Sequence, residues 1–176
     1  MCIRDRRGID YRGVLYAGVM LTANGPKLLE YNVRFGDPET EVLIPLYGDQ
    51  VAELLLATAT GRLDSVDVTP SGAAVTVVLA SHGYPESSRR GDVITGLDAT
   101  GQLAAPITGV TVFHAGTALD DEGRFVTNGG RVLAVTAHAD SLVAARERAY
   151  QAVGQIDFPG RVLRTDIAEL ATKGLA

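Results

Sequence analysis

The chain has no tryptophan and one cysteine, Cys2, in 176 residues. A single thiol excludes an internal disulfide framework and any Cys-x-x-Cys pair. Three histidines, His82, His114 and His138, are too scattered for metal-ligand spacing. His114, on an alternating stretch, reads as a satisfied structural histidine. No apolar run approaches the roughly 20 residues of a membrane-spanning helix. Sixteen Lys and Arg against 21 Asp and Glu give a net charge of −5, the wrong sign for a nucleic-acid footprint. An anionic substrate remains compatible with that balance, because a metal ion and local arginines can supply the positive field. Nucleophile-elbow and phosphate-loop motifs are absent. The opening Met1-Cys2-Ile3-Arg4-Asp5-Arg6 shows no capping, alternation or signal-peptide pattern, and residues 1–7 read as a non-native segment. The length suffices for one or two small domains with a core, and the composition is that of a soluble intracellular fragment.

What is present changes character near residue 62. Val14–Leu21 and 26–33 read as an antiparallel pair around Thr22-Ala23-Asn24-Gly25. Asp37 is placed to cap a helix with Pro38 at its first position, and Glu39 and Glu41 suit the positive end of its dipole. Pro45 is expected to end or kink that helix. A second helix is expected from Asp49 to Thr60, with Val51, Leu54, Leu55 and Thr58 on one face and a stop at Gly61. Strands follow at Ala73–Ala80, Val110–His114 and Arg131–Ala137, with Asp120-Asp121-Glu122-Gly123 a turn between extended pieces. Ser141 is placed to cap a helix running to about Ile156, and the tail from Asp166 suits one short helix.

The stretch 26–41 carries the chemistry. On a strand, successive side chains point to opposite faces, so Glu30, Asn32 and Arg34 share one face and Leu29, Tyr31 and Val33 the other. A carboxylate and an amide two residues apart can converge on one hard cation such as Mg²⁺. Arg34, next along that face, suits an anionic oxygen. The plain alternatives are a solvated strand face for Glu30 and Asn32, an ion pair with an acid such as Asp37 for Arg34, and helix capping for Asp37 and Glu39.

Glu30-x-Asn32-x-Arg34 resembles the metal-binding strand of the ATP-grasp ligases. The continuation Arg34-Phe35-Gly36-Asp37-Pro38-Glu39-Thr40-Glu41 resembles the signature of one family among them, the phosphoribosylamine–glycine ligases. Tyr16-Ala17-Gly18-Val19-Met20, Gly83-Tyr84-Pro85, Gly91-Asp92-Val93-Ile94, Phe113-His114-Ala115-Gly116-Thr117 and Thr127-Asn128-Gly129-Gly130-Arg131-Val132-Leu133 are similar to the same family, in order. The likeness covers roughly residues 8–170. It departs at Glu86-Ser87-Ser88, where relatives carry an aromatic at or near Ser88, and that puts any role for this loop in doubt. Arg89-Arg90 then reads as a surface pair, and Gly83, Gly116, Gly129 and Gly130 as turn residues.

The resemblance implies an α+β fold, with the end of an ATP-grasp domain over 8–62 and a β-rich C-terminal domain over 63–176. It implies an ATP-dependent ligase joining glycine to 5-phosphoribosylamine in purine synthesis. Glu30 and Asn32 would hold Mg²⁺ or Mn²⁺, Arg34 would steady the transferring group, and Asp37 and Glu39 would border the substrate pocket. Nothing here resembles the family's N-terminal domain, its flexible Gly-rich loop or its ATP-binding lysines. The chain therefore reads as the C-terminal portion of a cytoplasmic enzyme, inactive without its missing N-terminal domains. Two other readings stand beside it. One is another ATP-grasp carboxylate–amine ligase or a biotin-carboxylase-like enzyme, against which Gly36-Asp37-Pro38-Glu39 speaks. The other is a stand-alone binding module.

Overall fold

Two apolar runs flanking Ala23-Asn24 form a β-hairpin in the computed structural model, which describes residues 8 and 10–174. Segment 1–7, with Cys2, lies outside the described residues. Strand β1 (Tyr16–Thr22) pairs antiparallel with β2 (Gly25–Asn32), and Gly25 takes φ +86°, a value open to glycine at little cost. The register shifts at Gly18/Val19: Gly18 faces Glu30 while Val19 faces Leu28, leaving Leu29 as the extra residue of a bulge.

Helix α1 (Glu39–Tyr47) starts later than its sequence suggested. The Thr40 amide and hydroxyl both donate to the Gly36 carbonyl, at 3.1 and 2.5 Å, and close the first turn. Pro45 lies inside this helix and does not end it. One hydrogen bond is lost there, and only two residues follow before the helix stops. Helix α2 (Gln50–Thr60) ends as expected at Gly61, whose φ of +70° makes the left-handed cap. Its inward stripe is Val51, Leu54, Ala57 and Thr58, whereas Leu55 is exposed.

The chain divides into two compact units, Met1–Thr40 with Tyr47–Thr69 and Glu41–Leu46 with Pro70–Ala176. The second is built on a three-stranded antiparallel sheet in the order β3 (Ala73–Ala80), β7 (Arg131–Ala139), β4 (Val110–His114). As the middle strand, β7 is buried almost throughout, and Thr136 satisfies its hydroxyl by donating to Thr76 directly opposite, at 2.8 Å. Helix α3 (Leu142–Val153) packs on this sheet through Ala145, Ala149 and Ala152, all fully buried. Small side chains there let the helix approach Val77, Leu79, Leu133 and Val135 closely; burial of each such leucine contributes about 1.5–3 kcal/mol. Ser141 caps α3 as expected, its hydroxyl accepting from the Ala144 amide at 3.3 Å. At the other end the Arg161 guanidinium donates to the Val153 and Ile156 carbonyls. A four-residue helix, α4 (Glu169–Thr172), closes the tail.

A small hairpin, β5 (Thr117–Leu119) with β6 (Phe125–Thr127), surrounds the expected Asp120 turn. Asp120 Oδ1 accepts from the amides of Glu122 and Arg124, at 3.0 and 2.9 Å, and Oδ2 accepts from the Arg124 side chain at 2.8 Å. The Arg124 amide first, and the Arg124 side chain with it, hold this carboxyl below the ordinary aspartate range. A depressed pKa means the turn contributes stability above the ordinary aspartate value and loses it as pH falls through the lowered one. Carbon-detected NMR titration should place the Asp120 midpoint below that of a free aspartate; a midpoint at or above it would refute the turn's role.

Candidate metal and substrate site

Directly opposed residues of an antiparallel pair share a face. Tyr16 opposes Asn32 and Gly18 opposes Glu30, so the bulge brings these four positions to one side of the hairpin. Asn32 Nδ2 donates to Glu30 Oε1 at 2.9 Å. A half-turn of the amide about its terminal torsion puts Oδ1 in the same place, giving two hard oxygen donors converging on one point. That donor set fits Mg²⁺ or Mn²⁺, which take one or two protein oxygens and complete their shells with phosphates and water. No cluster of three or more His, Cys, Asp or Glu side chains suited to a metal occurs among the described residues, so the pair would be a partial shell.

Gly18 is buried, and a Cβ there would lie 3.2 Å from Glu30 Cγ and 3.5 Å from the Tyr16 ring. Its missing side chain leaves the room in which Tyr16 and Glu30 lie side by side. The Tyr16 hydroxyl donates to Glu39 Oε1 at 3.3 Å. Glu39 in turn lies over buried Gly36, where an added Cβ would fall 2.1 Å from Oε2. The negative charge of Glu39, above all, and that of Glu30 hold the Tyr16 phenol above its usual range.

Arg34 lies beyond the strand, since β2 ends at Asn32 and the chain bends at Val33-Arg34. Its guanidinium donates to the Phe35 carbonyl at 3.0 Å, yet it remains close enough to oppose the carboxylates' effect on Tyr16. Asp37 is exposed and joined to Pro38 by a cis peptide bond. Sequence reading therefore brought together Glu30 and Asn32 and placed Glu39 nearby, but it missed Tyr16 and Gly18. A cavity of about 770 Å³ in the same unit, lined by Tyr11, Arg12, Leu15, Val33 and Leu63 among others, includes none of the donor residues.

In the second unit, Asp92 is buried; its Oδ1 accepts from Arg89 at 2.5 Å, while Oδ2 has no hydrogen-bond partner among the described residues. Thr127 stitches this loop down: its amide donates to the Asp92 carbonyl at 2.9 Å and its hydroxyl accepts from the Asp92 amide at 3.1 Å. Gly130 packs beneath the Tyr84 ring and Gly116 against Gly129, contacts that no Cβ would allow. His114 is satisfied on both nitrogens, by Thr117 and the Gly101 carbonyl at 2.9 Å each, as a structural histidine should be.

Two family matches account for most of this arrangement. The ATP-grasp (A) domain of phosphoribosylglycinamide synthetase matches residues 3–40, the hairpin and the turn after it. The C domain of phosphoribosylglycinamide synthetase matches residues 74–170. The chain belongs to the phosphoribosylglycinamide synthetase family. A phosphoribosylamine–glycine ligase of Nostoc is 49% identical over 164 residues, 92% of this chain and 37% of the relative. The crystal structure of the phosphoribosylamine–glycine ligase of Thermotoga maritima superposes with a TM-score of 0.77 at 41% identity, over 92% of this chain and 38% of that one. This member of the synthetase family thus spans less than two fifths of either relative's length. The biotin carboxylase domain of a Hydrogenobacter thermophilus 2-oxoglutarate carboxylase shares the fold at TM-score 0.61 and 15% identity, over 89% of this chain and 34% of that one.

Proposed function

We propose that this synthetase-family chain forms the metal-binding strand and C-terminal domain, over 8–62 and 63–176, of a cytoplasmic ligase. The complete enzyme would join glycine to 5-phosphoribosylamine with ATP, giving glycinamide ribonucleotide, ADP and phosphate in purine synthesis. The observation that carries this reading is the convergent Glu30–Asn32 donor pair leading directly into Arg34-Phe35-Gly36-Asp37-Pro38-Glu39. Among the described residues no single helix is long and apolar enough to cross a membrane.

The reaction needs two displacements. The glycine carboxylate attacks the γ-phosphorus of ATP, the β–γ bridging P–O bond breaks, and glycyl phosphate and ADP form. The neutral amine of 5-phosphoribosylamine then attacks the acyl carbon, phosphate leaves, and the nitrogen loses a proton as the amide forms. No covalent enzyme intermediate is required, so positioning and charge neutralisation carry the rate. Glu30 and Asn32 would hold Mg²⁺ or Mn²⁺, which when bound neutralises charge on the ATP phosphates. Arg34, beyond the strand end and able to swing from the Phe35 carbonyl, would steady the phosphoryl group in flight. Asp37 and Glu39 would border the substrate pocket. The N-terminal domains of the same enzyme would supply the remaining ATP contacts.

A substrate panel on the complete enzyme carrying this segment tests the reading. Sustained ADP release should require glycine and 5-phosphoribosylamine together. Release driven by bicarbonate and biotin, or by a different carboxylate–amine pair, would replace it with another ATP-grasp activity.

A further inference from the structure

The three-stranded sheet of the second unit has two edges, and each has outward backbone groups to satisfy. β7 runs down the middle, so β3 and β4 are the edge strands. On β3 a piece of extended chain meets the need: Ala80 and Val162 exchange amide-to-carbonyl hydrogen bonds in both directions, at 2.8 and 2.9 Å. Beyond β4 no further strand lies among the described residues. Val112 stands opposite Val135 of β7, yet its amide and carbonyl both turn away from that strand. One side chain takes both. The Val112 amide donates to Gln102 Oε1, and Gln102 Nε2 donates to the Val112 carbonyl, each at 2.9 Å. A primary amide carries donor and acceptor side by side, so it reproduces the two-way exchange that a neighbouring backbone would make.

Gln102 is held in place for this. Asp98 Oδ1 accepts from the Thr100 amide, the Thr100 hydroxyl and the Gln102 amide, at 2.8, 2.7 and 3.1 Å. One residue before Gln102, the Gly101 carbonyl is hydrogen-bonded to His114 Nε2 at the end of β4; one residue after it, Leu103 is buried. With its backbone fixed on both sides, the side chain has little freedom left to lose on docking. Val112 is itself buried, so an amide or carbonyl unpaired there would find no water.

We infer that Gln102 stands in for a fourth strand, closing the outer edge of β4 and keeping it from pairing with β4 of a second copy. A second copy is the partner this edge fits, because a twofold axis at Val112 would set two outward amide–carbonyl pairs opposite each other, as a closely spaced antiparallel pair requires. The role lies within the second unit and does not depend on the ligase reading.

Gln102→Ala in this chain is the first test, followed by amide hydrogen exchange and sedimentation. The Val112 amide should exchange at least about tenfold faster than in the wild type, while Thr111 and Phe113, whose amides face β7, keep their protection. The variant should also gain a concentration-dependent dimer that the wild type lacks. Gln102→Glu is the second test, because its shape is unchanged. At neutral pH its carboxylate sets an acceptor against the Val112 carbonyl, whereas the protonated acid can donate again. Folding then favours the protonated form, so the variant should melt below the wild type at neutral pH. That gap should close as pH falls below the ordinary glutamate value. Unchanged Val112 exchange in Gln102→Ala, association no greater than in the wild type, or a melting gap in Gln102→Glu that does not vary with pH would each overturn the inference.

Discussion

If Glu30 and Asn32 hold the cation as proposed, Glu30→Ala in the complete enzyme should lower turnover by about a hundredfold or more, even at saturating Mg²⁺, because the change removes the carboxylate of that pair and leaves only a neutral amide. The carboxylate is also the only formal charge in that pair, so cation affinity falls together with rate. Raising the metal concentration should recover occupancy in part but not the position of the ion relative to the phosphates. Two measurements check this: steady-state turnover across a Mg²⁺ titration, and Mn²⁺ binding followed by its electron paramagnetic resonance signal. Normal turnover at saturating Mg²⁺ would remove Glu30 from the metal site and leave it a solvated strand residue. Because Glu30 is exposed and its partner across the strands is Gly18, the substitution should leave the melting temperature nearly unchanged.

The second large effect concerns stability. Gly96 has φ +87°, and a Cβ built on it would lie 1.9 Å from the Gln155 carbonyl oxygen and 2.8 Å from its carbon. Both atoms are backbone, at the exit of α3, and the neighbouring Thr95 and Asp157 form a β-bridge that holds the two segments together. Neither segment can yield without opening that bridge and exposing Ile156, which is fully buried. Gly96→Ala therefore combines a left-handed backbone strain with a clash against immobile atoms. We expect it to cost about 3 kcal/mol or more, lowering the melting temperature by roughly 10 °C. Calorimetry on this chain decides the matter, with Gly91→Ala as the comparison. Gly91 has φ +83° but nothing within 4 Å of an added Cβ, so it isolates the backbone term. Equal losses at the two positions would show that packing against Gln155 contributes nothing.

Much of the fold was legible because its signals are local. Gly61 stops α2, Ser141 starts α3, and the valine-rich run Ala73–Ala80 forms β3 with the boundaries read from sequence. Strands β5 and β6 are three residues each, too short to show alternation, and only the Asp120 turn between them was visible. Pro45 was expected to end or kink its helix, and it lies inside α1, which stops two residues later. At the candidate site, the residue spacing identified Glu30 and Asn32 but not their neighbour Tyr16. Counting back from the tight turn, where Thr22 pairs with Gly25, an unbroken ladder would pair Tyr16 with Tyr31 and turn it to the opposite face. The bulge at Leu29 reverses that assignment, and no single residue type announces it. Alternation extends the strand as far as Arg34, whereas the ladder stops at Asn32 and the chain bends after it.

That same bulge divides the hairpin into two separately registered halves. The outer half takes its alignment from the two-residue turn at Ala23-Asn24, and the inner half from the pairing of Tyr16 with Asn32. Leu29 absorbs the one-residue mismatch between them. The tip can consequently change length or sequence without carrying the donor pair to the wrong side of the sheet. Variation is free to accumulate at one end of the hairpin while the chemistry at the other end stays aligned.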